Sequence, residues 1–443
     1  MKRFRFPLLA ASALLVLMAC SSTDESVKDE LKNAEPQPVN FDAYVNKGVT
    51  RAGFTGDLGG SSSYNLTTAG VGFGIFAYYT DNLEYSSTTI PNFMYNQKVT
   101  WSSLKWNYSP IKYWPNEYGN TASSDDIDKV SFFAYAPYVD VTASTGQVTG
   151  DKTYGITQLS RNTATGDPIV KYITRASGSV VTDHGVDLLW AVNNSNGLPY
   201  LNQTRTAGTT SDDKIQFTFN HALAKIGAMI QADGDDFVDY DGSAANKTKI
   251  YVRSVTITGF ATKGALNLNN IEANKPLWYG YDGGDLTFDG ITINDGRKDG
   301  REGTADGTQS NEKNAYLDPN IIQTNTATTG VTKGSSYSLF LSPLYVIPSG
   351  GSEKVDVTIV YDVETEDANL STLLSDGVTH GSSIENRITK TNVLSGLSTT
   401  GIEAGKVYNL MITLGMKDIK LSADIGSNWT SASGAGNIVV PTP

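Results

Sequence analysis

Apolar and polar side chains alternate with a period of two where the chain first turns hydrophobic after its leader. Val39, Phe41, Ala43 and Val45 are separated by Asn40, Asp42 and Tyr44. This alternation predicts a strand with one face on a core. Further on, the apolar positions run together. Val71–Tyr79 (VGFGIFAYY) and Val130–Tyr138 (VSFFAYAPY) predict buried strands, the second closed by Pro137. Shorter runs predict strands over Asp187–Val192, Ile215–Phe219, Ile226–Gln231, Ile250–Phe260 and Leu286–Ile293. The series continues with Tyr337–Ile347, Lys354–Val363, Lys406–Leu414, Ile419–Ile425 and Asn437–Val440. Turn residues punctuate these runs at intervals suited to antiparallel sandwiches. One short helix is expected, around Glu366–Ser375.

Composition narrows the class without changing this picture. With 43 glycines, 23 tyrosines and only 18% charged residues in 443, the chain is neither a coiled coil, a helical bundle nor a disordered polymer. It is long enough for two domains. A polar stretch from Asn193 to Lys214 is the natural division. It predicts an N-terminal domain over 52–205 and a C-terminal domain over 206–443. The formal net charge is −12, and −15 without Lys2, Arg3 and Arg5 of the leader, which argues against nucleic acid as a partner.

Catalytic signals are weak one by one. His184, His221 and His380 lack metal-ligand spacing, and His221, in FTFNHALAKI, reads as a hydrogen-bonded histidine near a domain junction. Ser102-Ser103-Leu104-Lys105 matches S-x-x-K, but the companion motifs and a helix are missing. Gly70-Val71-Gly72-Phe73-Gly74 lacks the spacing of a nucleotide-binding loop, so its glycines read as close backbone approaches. The Asp-Gly pairs between Asp282 and Gly307 read as turns in preference to a calcium loop. No enzyme, cofactor or metal is expected. The aromatic residues are concentrated: 17 of the 44 lie between Phe73 and Tyr138. Trp101, Trp106 and Trp114 form either a stacking platform for a ligand such as a sugar or part of a core.

The N-terminus has the layout of an export signal over 1–19. Three basic residues precede an apolar run from Phe6 to Ala19, 14 residues, short of the ~20 a membrane-spanning helix needs. The run ends in Leu17-Met18-Ala19-Cys20, which resembles the bacterial lipobox, and Cys20 is the only cysteine in the chain. Cys20 is therefore the expected lipidation site, anchoring the precursor to the outer membrane. Ser21–Glu25 and the polar residues up to Pro38 read as a tether. The acidic residues after Cys20 resemble the surface-export signal of Bacteroidetes lipoproteins.

A wider resemblance rests on an ordered set of motifs. WNYSPIKYWP (Trp106–Pro115), VSFFAYAPY, DLLWA, FTFNHALAKI and the C-terminal Val407-Tyr408-Asn409-Leu410 with the Trp429 region resemble the fimbrillin family of Bacteroidales, its Mfa-like branch, the subunits of type V pili. That resemblance implies an all-β chain with two transthyretin-like antiparallel β-sandwich domains. It also implies a surface lipoprotein from which an arginine-specific protease removes the first strand, leaving a groove that another subunit's C-terminal segment fills. Here 20–51 would be the propeptide, with cleavage between Arg51 and Ala52 and with Val39, Phe41, Ala43 and Val45 on the removable strand. The candidate donor strand is Asn437, Ile438, Val439 and Val440 within 428–443. The partners implied are other fimbrial subunits and host or bacterial surface ligands, with adhesion or biofilm formation as the outcome. The alternative is an anchored glycan-binding lipoprotein that keeps its N-terminal segment and binds through the aromatic platform.

Overall fold

The computed structural model describes residues 37–45, 66–115, 128–150, 152–174, 187–204, 214–232, 248–258, 260–286 and 291–294, and in the C-terminal part 322–323, 337–338, 344–348, 355–366, 383–394, 402–414, 419–426 and 438–439. Among these residues every regular element is a strand. In chain order they are β1 (Asn40–Val45), β2 (Phe73–Tyr79), β3 (Met94–Ser102), β4 (Lys105–Asn107), β5 (Val130–Ala136), β6 (Gly155–Leu159), β7 (Ile169–Ile173) and β8 (Leu189–Asn193). There follow β9 (Tyr200–Gln203), β10 (Lys214–His221), β11 (Ala224–Ala232), β12 (Thr248–Ile257), β13 (Lys263–Asn267), β14 (Leu277–Tyr279), β15 (Ile291–Asn294) and β16 (Ile322–Gln323). The last are β17 (Tyr337–Ser338), β18 (Leu344–Val346), β19 (Val355–Glu366), β20 (Ser383–Leu394), β21 (Val407–Leu414), β22 (Ile419–Gly426) and β23 (Ile438–Val439). The expected helix falls mostly outside the described residues, and its first residue, Glu366, ends β19.

Four sheets organise the strands. The largest has the order β1-β10-β8-β5-β2-β3-β4, with β9 also on β5. A four-stranded sheet runs β14-β13-β7-β6. A six-stranded sheet runs β17-β11-β21-β22-β23 with β18 on β11, and a five-stranded one runs β15-β12-β19-β20 with β16 on β12. Most pairings are antiparallel, as expected, but two are parallel: β1 with β10 and β11 with β21. Parallel neighbours need a long crossover instead of a tight turn, and both pairs are far apart in sequence.

The central strands of the largest sheet, β2, β5 and β8, are buried on both faces, which explains their unbroken apolar runs. Phe73, Ile75 and Ala77 of β2 and Val130, Phe132, Ala134 and Ala136 of β5 belong to one core cluster. The alternate residues Phe76, Tyr78, Phe133 and Tyr135 belong to a second. That second core also takes Ile156 and Leu159 of β6, Val170 and Tyr172 of β7 and Leu266 of β13, so the four-stranded sheet covers this face. Two glycines admit close contacts from neighbouring strands of the same sheet. A Cβ on Gly72, where φ is +62°, would sit 2.0 Å from the Val99 carbonyl oxygen. One on Gly74 would sit 2.4 Å from the Tyr135 ring.

Sheet pairing crosses the expected division at 205/206. β10 lies downstream of it yet pairs with β8 and β1, and β13 pairs with β7. The polar stretch from Asn193 to Lys214 is also not continuous linker, because β9 lies within it and adds to β5. Only Ala222 and Leu223, both fully buried, separate β10 of the largest sheet from β11 of the six-stranded one.

Candidate functional site

β1 is an edge strand whose side chains nonetheless belong to the centre of a core. Val39, Phe41 and Ala43 are 0, 4 and 2% exposed, and Val45 packs against the same cluster. Asn40, Asp42 and Tyr44 face the other way, Tyr44 being exposed. The period-two pattern has thus become a strand with its apolar face inward. Burying a side chain of the size of Val39 or Phe41 stabilises by roughly 1.5–3 kcal/mol.

One ladder holds the body of this strand. It runs parallel to β10 from Asn40 opposite Lys214 to Val45 opposite Phe219. Asp42 and Lys214 add a half-exposed ion pair at 3.8 Å on the outer face, of little energetic weight. The beginning of the strand is tied to the segment after β4. The Val39 N–H donates to the Lys112 carbonyl at 2.9 Å, the Trp114 N–H donates to the Gln37 carbonyl at 2.9 Å, and Pro38 bridges Tyr113. The Tyr108 hydroxyl donates to the Val39 carbonyl at 2.7 Å. Burial raises the Tyr108 hydroxyl above its ordinary pKa, against the lowering by the Lys112 backbone. The two ends of the largest sheet, β1 and the β4 region, therefore meet across a seam around the first core.

Phe41 is the centre of that seam. Its ring lies 5.4 Å from Tyr108, 6.0 Å from Phe132 and 5.9 Å from Phe217, centroid to centroid. The first two contacts are edge-on and the third is stacked. Three separate pieces of chain therefore enclose one ring: β5, β10 and the turn after β4.

The three candidate tryptophans pack on the first core or on one another. Trp106 is 9% exposed within the first core, edge-on to Phe73 at 5.0 Å, and Trp101 lies edge-on to Trp106 at 5.2 Å. Trp114 packs on Phe132 at 5.7 Å. Trp106 is buried in the first core, and Trp101 and Trp114 are partly buried against it. Of the two readings open in the sequence, packing is the one the geometry supports.

The C-terminal strand has a place in its own chain. β23 pairs antiparallel with β22, with Val439 opposite Ser422 and Ile438 opposite Ala423, at the edge of the six-stranded sheet. Asn437 and Val440 lie outside the described residues, as do Cys20, Arg51 and Ala52. So do His184, His380 and the Asp-Gly pairs from Asp289 onward. Ser102–Lys105 is a hairpin turn, with Ser103 and Leu104 at φ +51° and +62°. This left-handed pair is the backbone of a two-residue hairpin loop, not the start of a helix.

His221 is hydrogen-bonded, as its setting suggested. Its Nδ1 lies 2.5 Å from Oδ2 of Asp187, which is fully buried. Burial raises the pKa of Asp187, with the charges of His221 and Lys225 opposing. The pair stands where β10 hands over to β11. Among the described residues no group of three or more His, Cys, Asp or Glu is placed to hold a metal. Sequence reasoning missed the seam partners Tyr108 and Lys112 as a unit with β1. Their signal was present in WNYSPIKYWP, but nothing local says which strand it covers.

Comparisons with known proteins agree with this architecture. No protein-family model matches the chain. The chain is 29% identical over 259 residues to the fimbrium subunit Fim1C of Phocaeicola vulgatus, a match that spans 56% of this chain and 55% of that one. The match thus spans only about half the length of this curated relative. A crystal structure of a fimbrial protein from Bacteroides vulgatus superposes with a TM-score of 0.54, covering 89% of this chain and 100% of that one at 22% identity. The chain is therefore an all-β homologue of a fimbrium subunit, and its fold is that of a fimbrial protein.

Proposed function

We infer that the chain is a non-enzymatic fimbrial subunit that polymerises by strand replacement at the β1 position and serves cell adhesion. The observation that carries this reading is β1 itself. It is an edge strand on a single ladder, yet its side chains fill the core from Val39 to Val45. Its removal would expose unpaired backbone on β10 beside an apolar slot, the arrangement that an added strand satisfies. The chain would reach the outer membrane as a lipoprotein on Cys20 and lose residues 20–51 by cleavage after Arg51. That one cut, six residues after β1 ends, would release lipid and strand together. Asn437–Val440, of which Ile438 and Val439 lie at a sheet edge, is the segment offered onward to a neighbouring subunit. The packing of Trp101, Trp106 and Trp114 on the first core favours this reading over an anchored glycan-binding lipoprotein.

N-terminal sequencing of material sheared from cells, beside the membrane-bound form, tests this. The expected result is high-mass sheared protein starting at Ala52. A chain that always starts at acylated Cys20 and stays monomeric would overturn the reading.

A further inference from the structure

The slot beneath β1 is chemically selective. Its central position is shaped for an aromatic ring: Phe41, 4% exposed, meets Tyr108, Phe132 and Phe217 at 5.4–6.0 Å. The positions on either side take a β-branched residue, Val39, and a small one, Ala43. A replacing strand must match this order of sizes, because a void at the centre of a closed core loses both transfer energy and contacts.

The candidate donor segment of this same chain does not match. As an inserted strand it would carry Gly434, Gly436, Ile438 and Val440 on one face and Ala435, Asn437, Val439 and Pro441 on the other. The second face brings Asn437 into an apolar core and Pro441 into a ladder. The first face has Ile438 as its largest side chain. With Ile438 at the centre, one direction puts Gly436 in the place of Val39, and the other puts Val440 and Gly436 in the places of Val39 and Ala43 and leaves the central ring as the unmatched position. No aromatic residue lies between Trp429 and Pro443.

We propose that the β1 slot accepts a strand from a different subunit, one with an aromatic side chain at the position of Phe41, and discriminates against residues 434–443 of a second copy of this chain. The proposal rests on the strand-replacement reading above. It makes the subunit a member of a mixed assembly, in which its slot and its own terminal segment engage different partners.

The test uses the full chain with a site for a sequence-specific protease inserted between Val45 and Arg51. After cutting, β1 remains seated without a covalent link, and labelled peptides compete for its place, followed by native mass spectrometry. Four peptides are compared: residues 37–46, the same with Phe41→Ala, residues 434–443, and the last with Ile438→Phe. The expected result is exchange by 37–46, weakened on the order of a hundredfold by Phe41→Ala. Residues 434–443 should compete at least tenfold more weakly than 37–46, and Ile438→Phe should recover most of that difference. Competition by 434–443 within about threefold of 37–46, or no gain from Ile438→Phe, overturns the selectivity while leaving strand replacement intact. Failure of every peptide, 37–46 included, to enter the cut chain overturns the strand-replacement reading itself, and the selectivity with it.

Discussion

At the scale of single residues, the seam and the junction make separate predictions. Tyr108→Phe removes the hydroxyl bond to the Val39 carbonyl while keeping the ring against Phe41. It should lower stability by about 1 kcal/mol, read from the urea midpoint of the full chain. Asp187 carries a pH dependence. Burial holds its pKa above the ordinary carboxylate value, so in the window above that value the native state keeps a proton the unfolded chain has released. Stability contributed by this group therefore falls as pH rises from about 4 through the raised value. Asp187→Asn should flatten that slope in denaturation midpoints taken across the window, whereas a slope unchanged from the parent would place its origin elsewhere. Much of this scale was legible in the sequence. Val39, Phe41 and Ala43 alternate and are buried together, and His221 is paired. The direction faced by Trp101, Trp106 and Trp114 was not legible, since a ring on a core and a ring on a ligand site give the same pattern.

At the scale of elements, legibility followed burial. β2 and β5 stand out because both faces are covered, so their apolar runs are continuous. β3 escaped recognition although it is nine residues long. It mixes Asn, Gln, Lys and Thr with apolar positions, and its pairing with β2 shifts register beside Asn96, a residue at φ +44°. A bulge breaks the period on which strand recognition depends. β6 was missed for a related reason, since its pairing with β7 slips between Ile156 and Gln158. The β3–β4 hairpin offers a test of element geometry. Ser103 and Leu104 both occupy the left-handed region, and Leu104 is 87% exposed. Replacing the pair by Asn-Gly, the preferred residues of this loop, should stabilise by about 0.5–1 kcal/mol, seen as a higher melting temperature. A lower melting temperature would mean that the Leu104 side chain makes contacts worth more than the turn strain.

At the scale of the whole molecule, sheet order was the least legible feature. The closeness of β1 to β10, and of both to the turn around Tyr108, joins residues far apart in the chain, and no local pattern encodes such pairing. The division at 205/206 reflected polarity, whereas β10 follows the core to which Phe217 and Phe219 belong. Loss of β1 should therefore be felt by the first core as a unit. A chain started at Ala52 is expected to aggregate or assemble on purification, and added peptide 37–46 should return it to a monomer with raised resistance to proteolysis. A stable, protease-resistant monomer without peptide would show that the core closes without this strand.

The parallel setting of β1 against β10 has a mechanical meaning. Tension along the axis of a strand in that position is carried by every rung from Asn40 to Val45 together, in shear, with the Phe41 ring acting as a detent in its pocket. A strand pulled sideways from the same edge would instead peel open one rung at a time. A filament built on such joints would be strong along its length and weak to forces across it, so the direction of load, more than the number of bonds, would decide where it parts.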